Sequence, residues 1–60
     1  MDILQLKIYD QRLNDETEPK LNQDFTQVLV DNFGEGIREH TTVILEGVKP
    51  SRWGVAGKAL

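Results

Sequence analysis

Apolar and polar positions along the chain follow two different periods in turn. From Asp2 to Tyr9, Leu4, Leu6 and Ile8 lie two apart and share one face of an extended strand. Gln5 and Lys7 fall on the other face, where Ile3 adds apolar surface. Asp10 to Asp15 is polar and reads as a loop. Leu21, Phe25, Val28, Leu29 and Phe33 then recur at i, i+4, i+7, i+8 and i+12, one stripe of an amphipathic helix. Lys20, Asn22, Gln23, Asp24, Gln27 and Asp31 fall largely on its opposite side. A second strand is predicted from about His40 to Glu46, because Thr41, Thr42, Val43, Ile44 and Leu45 all favour β structure. The unbroken run Val43-Ile44-Leu45 suits a strand covered on both faces. Gly47, Pro50 and Gly54 punctuate a turn-rich tail.

The helix has readable ends. Pro19 would break a helix interior but is tolerated in the first turn, where its missing N–H is not needed, so Thr17 is the expected N-cap. Gly34 after Phe33 is the expected C-cap. The Gly34-Glu35-Gly36 pair follows a helix instead of opening one, which makes it a turn and not a phosphate loop. Strand, helix, strand in this order predicts a right-handed crossover joining two parallel strands. The helix covers one face of that sheet. The other face, with Ile3 and half of the second strand, has no cover in its own chain, and two strands are too few to stand alone.

Length and composition sharpen this picture. Sixty residues make a single domain, 1–60, with a core too small to stabilise itself comfortably. There is no cysteine, so neither disulfides nor thiolate metal sites compensate, and the single histidine, His40, has no companions for a zinc site. His40 reads as a strand-edge residue. Oligomerisation remains. The net charge is -3, its charges scattered, which gives no footprint for nucleic acid or an anionic membrane. The acidic stretch Asp15-Glu16-Thr17-Glu18 complements a helix amino-terminus. No apolar run is long enough to span a membrane and no signal-peptide pattern opens the chain, so a cytoplasmic location is the default expectation.

Three segments add chemistry. The opening Met1-Asp2-Ile3-Leu4-Gln5-Leu6-Lys7-Ile8, the turn Asp10-Gln11-Arg12 and the tail Arg52-Trp53-Gly54-Val55-Ala56-Gly57-Lys58 together resemble the short subunits of the 4-oxalocrotonate tautomerase family (the tautomerase superfamily). The resemblance implies an α+β fold: a β-α-β subunit with parallel strands and a short carboxy-terminal β-hairpin, assembling into dimers and hexamers. Ile3, Leu4, Val43, Ile44 and Trp53 would then be hidden by assembly. It also implies catalysis by an amino-terminal proline exposed when the initiator methionine is removed. Burial and nearby cations keep such an amine neutral, so that it can carry protons between carbons of an enol or keto acid. Arginines hold the substrate carboxylates, an aromatic ring walls the pocket, and sites are shared between subunits.

Carried over position by position, Arg12 matches the arginine after the first strand and Trp53 the aromatic of the tail, both as substrate-binding residues. Asp2 stands where the proline belongs. Methionine before aspartate is ordinarily retained, which leaves the terminal amine on Met1. The second-strand arginine is also missing: the ungapped match falls on Thr42, a one-residue shift gives Thr41, and neither hydroxyl clamps a carboxylate as a guanidinium does. Three readings follow. In the first, the chain is weak or inactive as a proline-type tautomerase and serves as an auxiliary subunit beside a proline-bearing paralogue. In the second, it is an active homo-oligomeric isomerase on a small keto or unsaturated acid, using Asp2 or the Met1 amine as catalytic base and Arg12 as carboxylate binder. In the third, it is a non-catalytic binding or structural oligomer. None calls for a metal or a cofactor. Arg38, Arg52 and Lys58 are candidates to replace the lost positive charge, against their plainer reading as surface residues.

Overall fold

A computed structural model of the chain describes residues 1–59. The alternating segment forms strand β1 (Asp2–Tyr9), the periodic segment helix α1 (Thr17–Phe33), and the β-branched run strand β2 (Thr41–Val48). Strands β3 (Gly54–Val55) and β4 (Lys58–Ala59) close the described chain. Short 3-10 segments link these elements at Asp10–Arg12, Glu35–His40 and Pro50–Arg52. β1 and β2 pair in parallel from Asp2 opposite Thr41 to Tyr9 opposite Val48, and β3 and β4 form a separate antiparallel hairpin. The β-α-β unit with a carboxy-terminal hairpin is thus the expected one. The second strand runs two residues further than its composition predicted, and His40 ends the preceding turn instead of edging the strand.

The helix start differs in its cap. Asn14 Oδ1 accepts the N–H groups of Glu16 (2.8 Å) and Thr17 (2.9 Å), while the Thr17 hydroxyl oxygen accepts the N–H of Asn14 at 2.9 Å. This is the reciprocal exchange of a capping box, with Asn14 in the leading role expected of Thr17. An asparagine oxygen reaches two N–H groups at once, which the threonine hydroxyl does not do here. Pro19 is the third residue of α1, within its first turn as its chemistry requires. Gly34 closes the helix with φ +95° and ψ 165°, a region open essentially to glycine alone.

The parallel register sorts the sheet into two faces. Leu4, Leu6 and Ile8 with Thr41, Val43 and Leu45 turn toward α1 and are half-buried, opposite Leu21, Phe25, Leu29 and Val30, which are also half-buried. Val28 and Phe33, assigned to the apolar stripe by their spacing, are instead 52% and 72% exposed. A two-stranded sheet is narrower than the stripe, so the stripe's flank overhangs it. Leu4 and Val43 face the helix, which leaves the open face to Ile3, Gln5 and Lys7 beside Thr42, Ile44 and Glu46. Lys7 and Glu46 pair across it at 3.7 Å, both well exposed and worth little. Ile3 and Ile44 are 59% and 44% exposed.

Among the described residues none is fully buried. The chain exposes 4824 Å², where a folded monomer of its 6.8 kDa exposes about 3,950 Å². The excess of about 900 Å² is close to the roughly 800 Å² that one partner contributes to an ordinary interface. The radius of gyration is 14.2 Å, against about 10.4 Å for a compact chain of this length.

Candidate functional site

Among the described residues, the carboxyl ends of the two parallel strands carry the one cluster that joins a cation to aromatic rings. Alternation along β1 puts Tyr9 on the open face with Ile3, Gln5 and Lys7, and register puts it opposite Val48. The chain leaves β2, turns through Pro50–Arg52 and returns Trp53 over this corner. There the indole packs against Tyr9 with ring centroids 5.0 Å apart and planes tilted by 57°. Its Nε1–H points to the Val48 carbonyl at 3.4 Å. The Arg12 guanidinium carbon lies 5.7 Å from the centre of the same Tyr9 ring, within cation–π range and worth on the order of 0.5–1 kcal/mol at an exposed site.

The backbone that aims Arg12 depends on a glycine. A Cβ on Gly47 would stand 3.0 Å from Asp10 Cα, 3.1 Å from Asp10 Cβ and 3.4 Å from Leu13 Cδ1. The Asp10–Arg12 turn therefore rests directly on the bare backbone of β2. Asp10 Oδ1 is enclosed at this contact without a hydrogen-bond partner among the described residues. Gly47→Ala should push the turn off the strand, cost about 1–3 kcal/mol and weaken the near-ultraviolet dichroism of the Tyr9–Trp53 pair. Urea unfolding reads the first effect, and unchanged values in both measurements would mean that the turn is not seated by this glycine.

Asp2 is elsewhere. It opens β1 opposite Thr41, seven residue steps from Tyr9, or roughly 23 Å along the strand. The structure thus brings Arg12 and Trp53 together through Tyr9, and leaves Asp2 at the far end of the same strand. Thr41 spends its hydroxyl hydrogen on the Ile37 carbonyl at 2.8 Å, and Thr42 lies exposed on the open face beside Ile3. Arg38 is bound to Glu35 at 2.6 Å and to Gln27 Oε1 at 3.2 Å, so its guanidinium is directed along the helix. The hydrogen bond to Arg38 holds the Glu35 carboxyl below its ordinary range and raises Arg38 in turn. Arg52 and Lys58 are exposed.

Two concavities lie apart from this cluster. One of about 210 Å³ is lined by Leu4, Gln5, Leu6 and Phe25, and one of about 170 Å³ by Gln5, Leu6, Lys7, Ile44 and Glu46. Neither contains Arg12 or an aromatic pair, and both open along surfaces that the two-stranded sheet leaves uncovered, so they are packing surfaces before they are sites. Among the described residues no group of three His, Cys, Asp or Glu side chains is placed to hold a metal ion, and no helix is long and apolar enough to cross a membrane.

A family model described as Tautomerase enzyme matches residues 3–60, nearly the whole chain. The chain belongs to the tautomerase family. Arg12, Trp53 and the hairpin lie inside the matched stretch, which begins one residue after Asp2. No curated protein and no solved structure matches the chain. Within the tautomerase fold, sequence reasoning passed over Tyr9 and Gly47. Tyr9 had a signal: an aromatic closing an alternating strand, three residues before an arginine and carried on the uncovered face. Gly47 had none, because its role depends on a turn far away in sequence.

Proposed function

We propose that this chain is a tautomerase-family subunit without proline chemistry that contributes Arg12 and Trp53 to carboxylate-binding sites completed by other subunits. The observation that carries the reading is the separation of Arg12, Tyr9 and Trp53 from Asp2 by the full length of β1. A carboxylate held by Arg12 lies roughly 23 Å from the first residues of its own chain, so a proton carrier has to come from another chain. Pairing of two β1 edges about a twofold axis is antiparallel, and an axis through the middle of the strand sets Asp2 of one copy opposite Tyr9 of the other. A proline-bearing relative in the second position would place its terminal amine against Arg12 of this chain. The excess exposed area and the bare Ile3 and Ile44 support assembly, into the dimers and hexamers that the family resemblance implies. In a homo-oligomer the base would be Asp2, and an adjacent Arg12 of another copy favours the charged carboxylate and makes it a weak base. Such an oligomer is then weak or inactive as a proline-type tautomerase.

The same antiparallel arrangement favours a second reading, an active homo-oligomeric isomerase on a small keto or unsaturated acid with Asp2 or the Met1 amine as base. Co-expression with a proline-bearing family member, followed by native mass spectrometry, separates the two. The auxiliary reading expects mixed oligomers whose enolpyruvate turnover falls at least tenfold when Arg12→Ala is made in this chain alone, the loss of a bidentate charged partner. Oligomers that never mix overturn it.

A further inference from the structure

Tyr9 has two partners. Its ring centre lies 5.0 Å from that of the Trp53 indole and 5.7 Å from the Arg12 guanidinium carbon, so a single ring joins the cation to the second aromatic. A guanidinium lying over a ring keeps its N–H groups in its own plane, free along the outer edge for a carboxylate. The position of Arg12 therefore depends on the Tyr9 ring, and the space beside its fork is bordered by aromatic surface. Of the other basic or hydroxyl groups weighed for this site, Arg52 and Lys58 are exposed and three more are occupied or distant. Thr41 donates to Ile37, Thr42 lies beside Ile3 toward the far end of the sheet, and Arg38 is held by Glu35 and Gln27. Arg12 is the cation held against the rings, and that combination suits one carboxylate carried on a planar apolar group.

We infer that Tyr9 is a positioning and specificity-determining residue, and that the site takes a monocarboxylate carried on an aryl or extended planar group in preference to a dicarboxylate. The inference rests on the reading of Arg12 as a carboxylate binder. Tyr9 orients the guanidinium that binds, and with Trp53 it offers the surface on which the ligand's planar part stacks. A second carboxylate would find aromatic faces, whose negative quadrupole repels it.

The test is the dissociation constants of trans-cinnamate and trans,trans-muconate for the assembled protein, measured by calorimetry. Cinnamate is expected to bind roughly tenfold more tightly, and Tyr9→Leu to erase most of that preference while weakening both acids about two- to fivefold through the displaced Arg12. Tyr9→Phe, which keeps the ring, should retain the wild-type constants, and Arg52→Ala should leave the preference unchanged. Muconate bound as well as cinnamate, constants for Tyr9→Leu equal to wild type, or a preference lost in Arg52→Ala would each overturn the inference while leaving the Arg12 reading intact. Wild-type protein that binds neither acid, or Arg12→Ala that binds both as well as wild type, removes the Arg12 reading and this inference with it. If Tyr9→Leu does not assemble, the wild-type preference and the Arg52→Ala constants still decide.

Discussion

Ile44→Asp should dissolve the proposed assembly and unfold the chain in the same step. Ile44 sits in the middle of the open sheet face, 44% exposed in the isolated subunit, with Ile3 and its 59% exposure on the neighbouring strand. Burying such a side chain completely contributes about 1.5–3 kcal/mol. An unpaired carboxylate trapped in its place costs about 3–5 kcal/mol, and Glu46 two residues on adds like charge to the same face. With no fully buried residue among those described, the subunit has little core to fall back on, so dissociation and unfolding are linked by mass action. Sedimentation and far-ultraviolet dichroism over the micromolar range read both. The wild type should be oligomeric with a melting midpoint that rises with concentration, and Ile44→Asp should be monomeric and largely unfolded. Aspartate also disfavours a strand on its own account. Ile44→Thr keeps the β-branched shape and isolates the loss of apolar contact, and it should lower the midpoint without abolishing the fold. An Ile44→Asp chain that stays oligomeric, or folds as well alone, would remove the open face from the interface.

Restoring the amine should restore the chemistry. Asp2→Pro with the initiator methionine removed is expected to accelerate ketonisation of a simple enolpyruvate at least 100-fold over the native chain, within the range that a positioned acid–base group supplies. A proline there would be a secondary amine at the start of β1. Opposed across a pair of β1 edges to Tyr9 and Arg12 of another copy, it would be partly desolvated and close to a cation. Both effects disfavour its charged form and leave it free to accept a proton near neutral pH. Arg12→Ala in the proline variant should then undo most of the gain. If the native chain is already active and the proline changes little, Asp2 is not the explanation, and the chemistry rests on other groups with Arg12 the first to examine.

Much of this protein was legible one element at a time. Alternation at Leu4, Leu6 and Ile8, the helical recurrence of Leu21, Phe25 and Leu29, the β-branched run in β2 and the glycine after Phe33 each specify their element by local rules. Together they fix a parallel β-α-β unit, because a crossover helix has one hand. Absence of cysteine and an uncovered sheet face are the grounds for proposing assembly, since a chain this short buries little of its own apolar surface. The structure sets Arg12 and Trp53 against the same tyrosine, and their substrate-binding role belongs to the proposal.

What the sequence leaves open is anything set by where two distant segments touch. The overhang of Val28 and Phe33 follows from the width of a two-stranded sheet, a quantity that no helical period contains. The cap at Asn14 depends on the path by which the chain enters α1, and Gly47 on the turn that presses against it from across the sheet. The stack of Arg12, Tyr9 and Trp53 exists only because β2 ends opposite Tyr9 and the tail folds back over that corner. The distance from Asp2 to this stack is the length of a strand. Periodicity assigns each residue to a face, but only parallel register and the return of the tail determine which residues share an end, and that decides which of them can act on one ligand.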